Sequence, residues 1–306
     1  MTDGVSILGI FVADLAFRSG RMPAVGETIM GSGFAMGPGG KGSNQAVAAA
    51  RAGAKTRFIS RLGQDSFGDI AMATWAAEGI DAKVARSPQA PTGAAFIYVN
   101  DVNGENAIIV VPGAAGDISV ADVEAAAETI RSSRVFVTQL EQPAEAALAA
   151  LRIARGAGVT TVFNPAPAAP FDPAIYPLVD YITPNESETA AMVGFPVETI
   201  EDAKRAGDVL LKKGVGVALI TLGEKGALFH AKDRSELVPA FHVAAVVETA
   251  GAGDAFNGGF AAALAEGRDP LAAARFGCAV AGIAVTRAGT APAMPRRAEV
   301  EALLNR

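Results

Sequence analysis

A chain of 306 residues, 50% hydrophobic and 19% charged, holds enough apolar material for one large α/β domain with a smaller accessory element, or for two modest domains. A net charge of −6 without any basic run excludes the electrostatic footprint of a nucleic-acid binder, and 6% aromatics suit close-packed helices over a buried sheet better than an all-β sandwich. No apolar stretch reaches the roughly 18 residues that span a bilayer, no basic signal-peptide segment opens the chain, and the one cysteine, Cys278, forms no internal disulfide, so a cytoplasmic protein without a membrane partner is expected.

Val5–Val12 reads as a buried strand, rich in β-branched and large apolar residues. The Gly/Pro-punctuated stretch Arg18–Gly40 cannot make a helix. Ser43–Ala52 can, ending at Gly53, and strand Thr56–Leu62 and helix Ser66–Glu78 follow, the latter ending at Gly79. Two alternating apolar runs, Ala94–Val99 and Ala107–Val111, flank an Asn103-Gly104 turn signal and read as a hairpin. Strands and helices then alternate: Val135–Thr138, helix Ala144–Ala157, Thr160–Asn164, Tyr181–Thr183, helix Thr199–Lys213 and Val217–Thr221. The last of these helices carries Ile200, Ala203, Ala206, Leu210 and Leu211 on one stripe. Repeated β-α units imply a mainly parallel sheet covered on both faces.

Two strand-like segments, about 14–35 and 91–111, do not fit that sheet. They are expected to form a small β-structured lid beside a core made of residues 1–13, 36–90 and 112–306. The lid strands carry more apolar surface than one small face can hide, so a homodimer through the lid is also expected.

The strongest chemical signal is Glu248-Thr249-Ala250-Gly251-Ala252-Gly253-Asp254. A strand-like run, Val243–Val247, leads into this turn of tiny residues, and a helix, Asp254–Ala265, leads out. The N–H groups of Gly251, Ala252 and Gly253, bare at a helix N-terminus, would form an anion hole. Asp254 beside it admits two readings: a base that takes a proton from a hydroxyl attacking phosphorus, or simply the cap of a tightly packed helix. The helix end is expected to lower its pKa. A second signal, Gly37-Pro38-Gly39-Gly40-Lys41-Gly42-Ser43-Asn44, joins turn-forming glycines to a positive charge at Lys41 and a donor–acceptor amide at Asn44. Residues 37–42 also match G-x-G-x-x-G, the mark of an NAD-binding oxidoreductase, but follow a glycine-rich stretch instead of a buried strand. No P-loop motif occurs. The two histidines, His230 and His242, lack metal-ligand spacing and read as structural or exposed. Cys278 reads as a small buried hydrophobe.

Gly39-Gly40-Lys41-Gly42-Ser43-Asn44-Gln45-Ala46 and Thr249-Ala250-Gly251-Ala252-Gly253-Asp254 together resemble the two signatures of the PfkB carbohydrate kinases. Asn164-Pro165-Ala166-Pro167, Thr183-Pro184-Asn185-Glu186, Thr221-Leu222-Gly223 and Ala284-Val285-Thr286-Arg287 resemble its ribokinase branch, and the likeness runs from about Leu8 to Leu304. It implies an α/β fold with a Rossmann-like three-layer core, a mainly parallel sheet and a small β-sheet lid. It also implies an ATP- and Mg²⁺-dependent transfer of phosphoryl to a sugar hydroxyl, with ribose as the leading acceptor.

By the same resemblance, Asp14, Gly40, Lys41 and Asn44 would hold the sugar, and Glu141 would sit near the sugar and the phosphate path. Asn185 and Glu188 would organise phosphates and Mg²⁺, although Asn185 reads equally as a helix cap. Thr221, Gly223 and Gly226 would line the nucleotide. Glu248, with backbone near Ala250, Ala284, Arg287 and Gly289, would hold K⁺. Two departures stand out. Val12 replaces a usual asparagine that contacts the sugar, and Glu248 replaces a usual aspartate. Val12 leaves open another sugar, a polyol, a sugar acid or a nucleoside as acceptor. A sugar-binding regulator on a dead kinase scaffold is disfavoured, since base, lysine and anion-hole residues are all present.

Overall fold

The computed structural model describes residues 3–305; residues 1, 2 and 306, read above as core, lie outside the described residues. β1 (Val5–Leu8) is wholly buried, but the chain leaves it after Leu8, and β2 (Val12–Ser19) opens a different sheet. The single strand expected over Val5–Val12 is therefore two. The break falls at Gly9, which approaches Gly42 so closely that a methyl there would lie 2.7 Å from the Gly42 Cα. β3 (Gly33–Gly39) pairs antiparallel with β2 and runs into α1 (Lys41–Arg51), followed by β4 (Thr56–Gly63), α2 (Ser66–Ala77) and β5 (Asp81–Ser87). β6 (Thr92–Asn100) and β7 (Asn106–Gly113) form the antiparallel hairpin, with Gly104 supplying the positive φ of its turn.

Beyond it come the short helices α3 (Val120–Ala125) and α4 (Ala127–Arg131), then β8 (Val135–Thr138), α5 (Ala144–Gly156), β9 (Thr160–Phe163) and β10 (Tyr181–Ile182). α6 (Glu186–Val193), α7 (Ile200–Lys212) and β11 (Val217–Thr221) follow, then β12 (Ala227–Ala231) and β13 (Arg234–Val238), an antiparallel pair at the sheet edge. α8 (Ala252–Ala265), α9 (Pro270–Ala284) and α10 (Arg297–Leu304) complete the chain.

The large sheet runs β13-β12-β11-β10-β9-β8-β1-β4-β5, with every pairing parallel except the two made by β12. Alternate residues of its strands enter opposite layers. Val5 and Ile7 of β1 pack toward α1 and α8, whereas Leu8 packs toward the α5 side; Leu219 and Ile220 of β11 divide likewise. The small sheet, β3-β2-β6-β7, joins two antiparallel hairpins through a parallel β2–β6 pair.

Glycine sets the spacing between the helices that matter for chemistry. A methyl on Gly258 of α8 would fall 2.5 Å from both the Ala48 Cβ and the Gln45 carbonyl of α1, so the two helices meet backbone to backbone. The strand expected over Val243–Val247 does not form. Residues 239–250 cross the surface as an extended strap, its Val247 and Glu248 amides donating to the Val285 carbonyl at 2.8 and 3.2 Å. β-branched residues make strands only where a pairing edge is in reach, and here a helix end supplies the partner.

Candidate active site

α1 and α8 bring their N-terminal turns together at the C-terminal end of the parallel strands, the edge where open α/β sheets collect ligands. The N-cap of α8 is Gly251, at a φ of 77° that glycine adopts without strain, and no side chain caps the helix. Asp254 is thus not the cap. Its side chain turns to α1, where Asn44 Nδ2 donates to Oδ2 at 3.0 Å and Gln45 Nε2 to Oδ1 at 3.1 Å. The expected lowering of its pKa is also corrected. Burial raises it, against the lowering pull of Lys41, Asn44 and Gln45.

The anion hole takes a narrower form than expected. The Ala252 amide donates to the Thr249 carbonyl at 3.1 Å, while the amides of Gly251 and Gly253 meet no protein acceptor among the described residues. Lys41, Asp254 and Gly253 line one cavity of about 200 Å³ with Asn185, Glu188 and Thr221. Burial would lower the Lys41 pKa, but Asp254, Glu141 and Glu188 raise it on balance, so the ammonium stays charged.

Glu141 accepts from the Lys41 backbone amide at 2.7 Å, and its pKa stands at about 7, raised chiefly by burial and also by Asp254 and Asp14. Asp14, on β2, is raised to about 6 by burial, then by Glu248 and Asp254. Its carboxylate lies over Gly39, where a Cβ would come within 2.2 Å of Oδ1. Gly40 enters α1 at a φ of 91°. The Asn44 Oδ1 atom is buried and has no hydrogen-bond partner, an acceptor directed at nothing within the protein.

Asn185 and Glu188 form a capping box on α6: the Asn185 amide donates to Glu188 Oε2 at 2.9 Å, and the Glu188 amide to Asn185 Oδ1 at 2.8 Å. Asn185, Thr221, Thr249 and Gly253 also line a second cleft, of about 340 Å³, so the two spaces adjoin. Its far end is apolar, with Phe241, Val246, Ala281 and Val285, and Gly223 and Gly226 border it. Gly226 is doubly constrained, by a φ of 107° and by the Val238 carbonyl, 2.0 Å from where a Cβ would sit. Shape and donors suit a nucleotide: an apolar slot for a base, then bare amides and a lysine for phosphates.

Several of the residues expected around K⁺ have partners within the protein. Glu248 Oε2 accepts the Gly289 amide at 2.7 Å, the Ala284 carbonyl takes the Arg287 amide at 3.1 Å, and the Arg287 side chain pairs with Glu299. Ala250 is exposed on the strap. No cluster of three or more His, Cys, Asp or Glu side chains suited to a metal occurs among the described residues.

Sequence reasoning missed the polar lining behind Asp254. Gln45, Gln139, Asn164, Thr183 and Asn257 are all buried there. Asn257 receives the Thr183 hydroxyl at 2.6 Å and donates to the Gly253 carbonyl at 2.8 Å. Their signal was present: Asn257 stands among apolar residues one helical turn after Asp254, and Asn164 and Thr183 directly follow two strands. The glycines at 37–39 belong to β3 of the small sheet, which removes the dinucleotide-loop reading. His230 is buried between Asp208 and Ser235, at 3.0 Å from each; His242 lies exposed on the strap. Cys278 is buried, its thiol pushed up to about 12.

The sequence matches the pfkB family carbohydrate kinase over residues 2–297. It is 39% identical to the ribokinase of Haemophilus influenzae over 300 residues, which cover 98% of this chain and 97% of that one. It is 36% identical to the deoxyribokinase of Salmonella typhi over 293 residues, 95% of each chain. Among solved structures, the Arabidopsis thaliana ribokinase complexed with ribose and ATP is 30% identical, with a TM-score of 0.93 over 100% of each chain.

Proposed function

The chain belongs to the pfkB family of carbohydrate kinases, and from that premise we propose that it transfers the γ-phosphoryl group of ATP to the 5-hydroxyl of ribose, giving ribose 5-phosphate and ADP. The observation that carries the reading is the meeting of α1 and α8. A buried carboxylate, held by two amides, adjoins bare backbone donors where two clefts join.

Asp14 and the unpaired Asn44 Oδ1 accept hydroxyl protons of the sugar from the lid side and the core side, with Gly40 leaving room beside them. Asp254 receives the proton of the attacking hydroxyl, late in the transfer, and its raised pKa suits it to hold that proton. The Gly251 and Gly253 amides and Lys41 meet charge on the equatorial oxygens of the moving group. Glu141 orients the Lys41 backbone. Mg²⁺, bound with ATP, would neutralise phosphate charge, and Glu188 with Asn185, which line the same cavity as Lys41 and Asp254, would hold its water shell. Thr221, Gly223 and Gly226 border the nucleotide.

A second acceptor, 2-deoxyribose, is favoured by one observation. Val12 is apolar and buried two residues before Asp14, where it can bond no hydroxyl, and deoxyribokinases stand among the relatives at 36% identity. A panel of ribose, 2-deoxyribose, fructose and a nucleoside in a coupled ADP-release assay tests both. One of the two pentoses should lead in kcat/KM; fructose or the nucleoside leading would overturn the assignment.

Three further parts of the reading have their own tests. The strap and the 284–289 turn are tied by the Val285 carbonyl and by Glu248 to Gly289, so a monovalent cation such as K⁺ would bind there only through the remaining Glu248 oxygen and carbonyls; rates in KCl and in tetramethylammonium chloride should then differ. The lid pairs with a second copy. Its support is one face of the small sheet carrying Phe17, Phe34, Met36, Ile109 and Val111, all exposed, with Phe17 and Phe34 rings 5.0 Å apart. Light scattering at micromolar concentration should give a dimer. A cytoplasmic setting rests on ATP as substrate and on a lone buried thiol. No helix among the described residues is long and apolar enough to cross a membrane.

A further inference from the structure

Behind Asp254 a chain of buried amides ends on its carboxylate. Gln45, inside α1, gives Nε2 to Asp254 Oδ1 at 3.1 Å and to Asn164 Oδ1 at 3.2 Å. Its own Oε1 receives Gln139 Nε2 at 2.5 Å. Asn164 is oriented in turn, since its Nδ2 donates to the Thr183 carbonyl at 2.8 Å. An amide can be turned end for end, and one that turned would put an oxygen against the Asp254 oxygen. Here Asn164, itself oriented by the Thr183 carbonyl, opposes it by accepting from Nε2, and the Gln139 donor to Oε1 adds to that, although Gln139 Oε1 is buried without a partner. With Oε1 taken by the Gln139 donor, only the Nε2 end of Gln45 is left for the carboxylate.

Gln139 has a prepared seat. A methyl on Gly9 would come within 2.6 Å of its Oε1, and one on Gly42 within 3.0 Å, so these glycines leave the space that the Gln139 amide fills. Gln45 and Gln139 are fully buried, and neither touches the clefts that would hold nucleotide and sugar. Two fully buried amides in series form a costly arrangement unless they constrain something. What they constrain is the acid–base group.

We propose that Gln45 is a positioning residue that keeps Asp254 ionised and aimed at the acceptor hydroxyl, and that Asn164 and Gln139 together fix the direction of the Gln45 amide. The inference rests on Asp254 as the proton acceptor. Around that carboxylate, Asn44 supplies a second amide from α1 and Lys41 a positive charge. Asp14 on β2, Glu141 after β8 and Glu188 on α6 are carboxylates whose own titration Asp254 influences. Burial alone favours the protonated acid; the hydrogen bond from Gln45 is stronger to the ionised carboxylate than to the acid, and so opposes it. The direction follows: without the Gln45 donor the carboxyl holds its proton to higher pH, and a protonated Asp254 cannot accept another.

The test compares Gln45→Met and Gln139→Met, which keep volume and lose the amide, with their double variant and with Asp254→Asn. Turnover of Gln45→Met at neutral pH should fall about tenfold to a hundredfold, the loss of one charge-assisted hydrogen bond. Both KM values should stay within about threefold, the acid limb of the kcat–pH profile should move about one to two units upward, and much of the loss should return at alkaline pH. Gln139→Met should act in the same direction with a smaller effect, and the double variant should be no worse than Gln45→Met alone. Should Gln45→Met not fold, Gln139→Met decides by the same acid-limb shift. An unmoved acid limb, or losses that multiply in the double variant, would overturn the proposal. Difference infrared titration of the carboxyl band in the apo protein, with Asp254→Asn as reference, reads the Asp254 pKa without turnover. Near-normal turnover in Asp254→Asn would reject the base assignment, while an infrared pKa unchanged by Gln45→Met would reject the role of Gln45.

Discussion

Gly39→Ala should disable sugar recognition without touching the nucleotide site. A Cβ on residue 39 would fall 2.2 Å from Asp14 Oδ1 and 2.4 Å from its Cγ and Oδ2, far inside contact distance. Strain at Gly39 itself plays no part, because its φ is not positive. Something must move, and the backbone of residue 14 is held on both sides, opposite Gly37 on β3 and Ala95 on β6. The carboxylate can leave by rotating about its Cα–Cβ bond, so the fold survives and Asp14 swings out of the proposed sugar site. Losing one hydrogen bond between a carboxylate and a sugar hydroxyl costs about 1.5–3 kcal/mol, or roughly 10- to 150-fold in kcat/KM for the sugar. Steady-state rates with sugar varied at saturating ATP measure this loss, and titration with ATP should give an unchanged Kd. Asp14→Ala should cost about as much, and the double variant should add less than about twofold, because both changes remove one interaction. Losses that multiply, or a rise in the ATP KM alone, would refute the reasoning.

Raised carboxyl pKa values give the apo protein a pH-dependent stability. Glu141 titrates at about 7 in the fold against 4.5 for a free glutamate, so its stabilising contribution is complete below the unfolded value and is lost as pH rises through 7. Between pH 5 and 8 this amounts to roughly 2 to 3 kcal/mol, and Glu141→Gln should flatten the urea-midpoint profile by about that much. Gly226→Ala should raise the ATP KM and leave the sugar KM nearly unchanged, since the added methyl meets the Val238 carbonyl beside the nucleotide cleft. Arg51 donates to the carbonyls of Ala291, Pro292 and Met294 and pairs with Glu78 at 2.6 Å, all in a partly buried site. Arg51→Ala should lower the unfolding free energy by about 2–4 kcal/mol in denaturant titration.

The β-α alternation from β8 to β11 was legible because the strands and longer helices carried their own periods, with Thr199 marking a helix start, whereas the short α6 showed only through the cap reading of Asn185. The hairpin β6–β7 was legible from alternation and a turn glycine. Local sequence could not reveal that β1 and β2 belong to different sheets, because Gly9 marks the break only through its contact with Gly42, distant in the chain. The valines at 243–247 have strand propensity, but the partner they meet is the end of α9.

The site shows the same division. Asp254, Lys41 and the glycines announced themselves by residue type and spacing. Gln45 and Gln139 did not, since nothing in a linear sequence shows that two glutamines 94 positions apart share a hydrogen bond. The pKa of Asp254 was misjudged because a helix terminus is visible in sequence and the depth of burial is not.

Asp254→Asn puts the assignment to proof with one change of atom. The amide keeps the size of the side chain and one acceptor but cannot take up the proton. Turnover in the coupled ADP-release assay should fall by about 10²- to 10⁴-fold while calorimetry shows ATP and ribose binding within a few-fold of wild type. Turnover within tenfold of wild type, with binding intact, would contradict Asp254 as the group that accepts the hydroxyl proton.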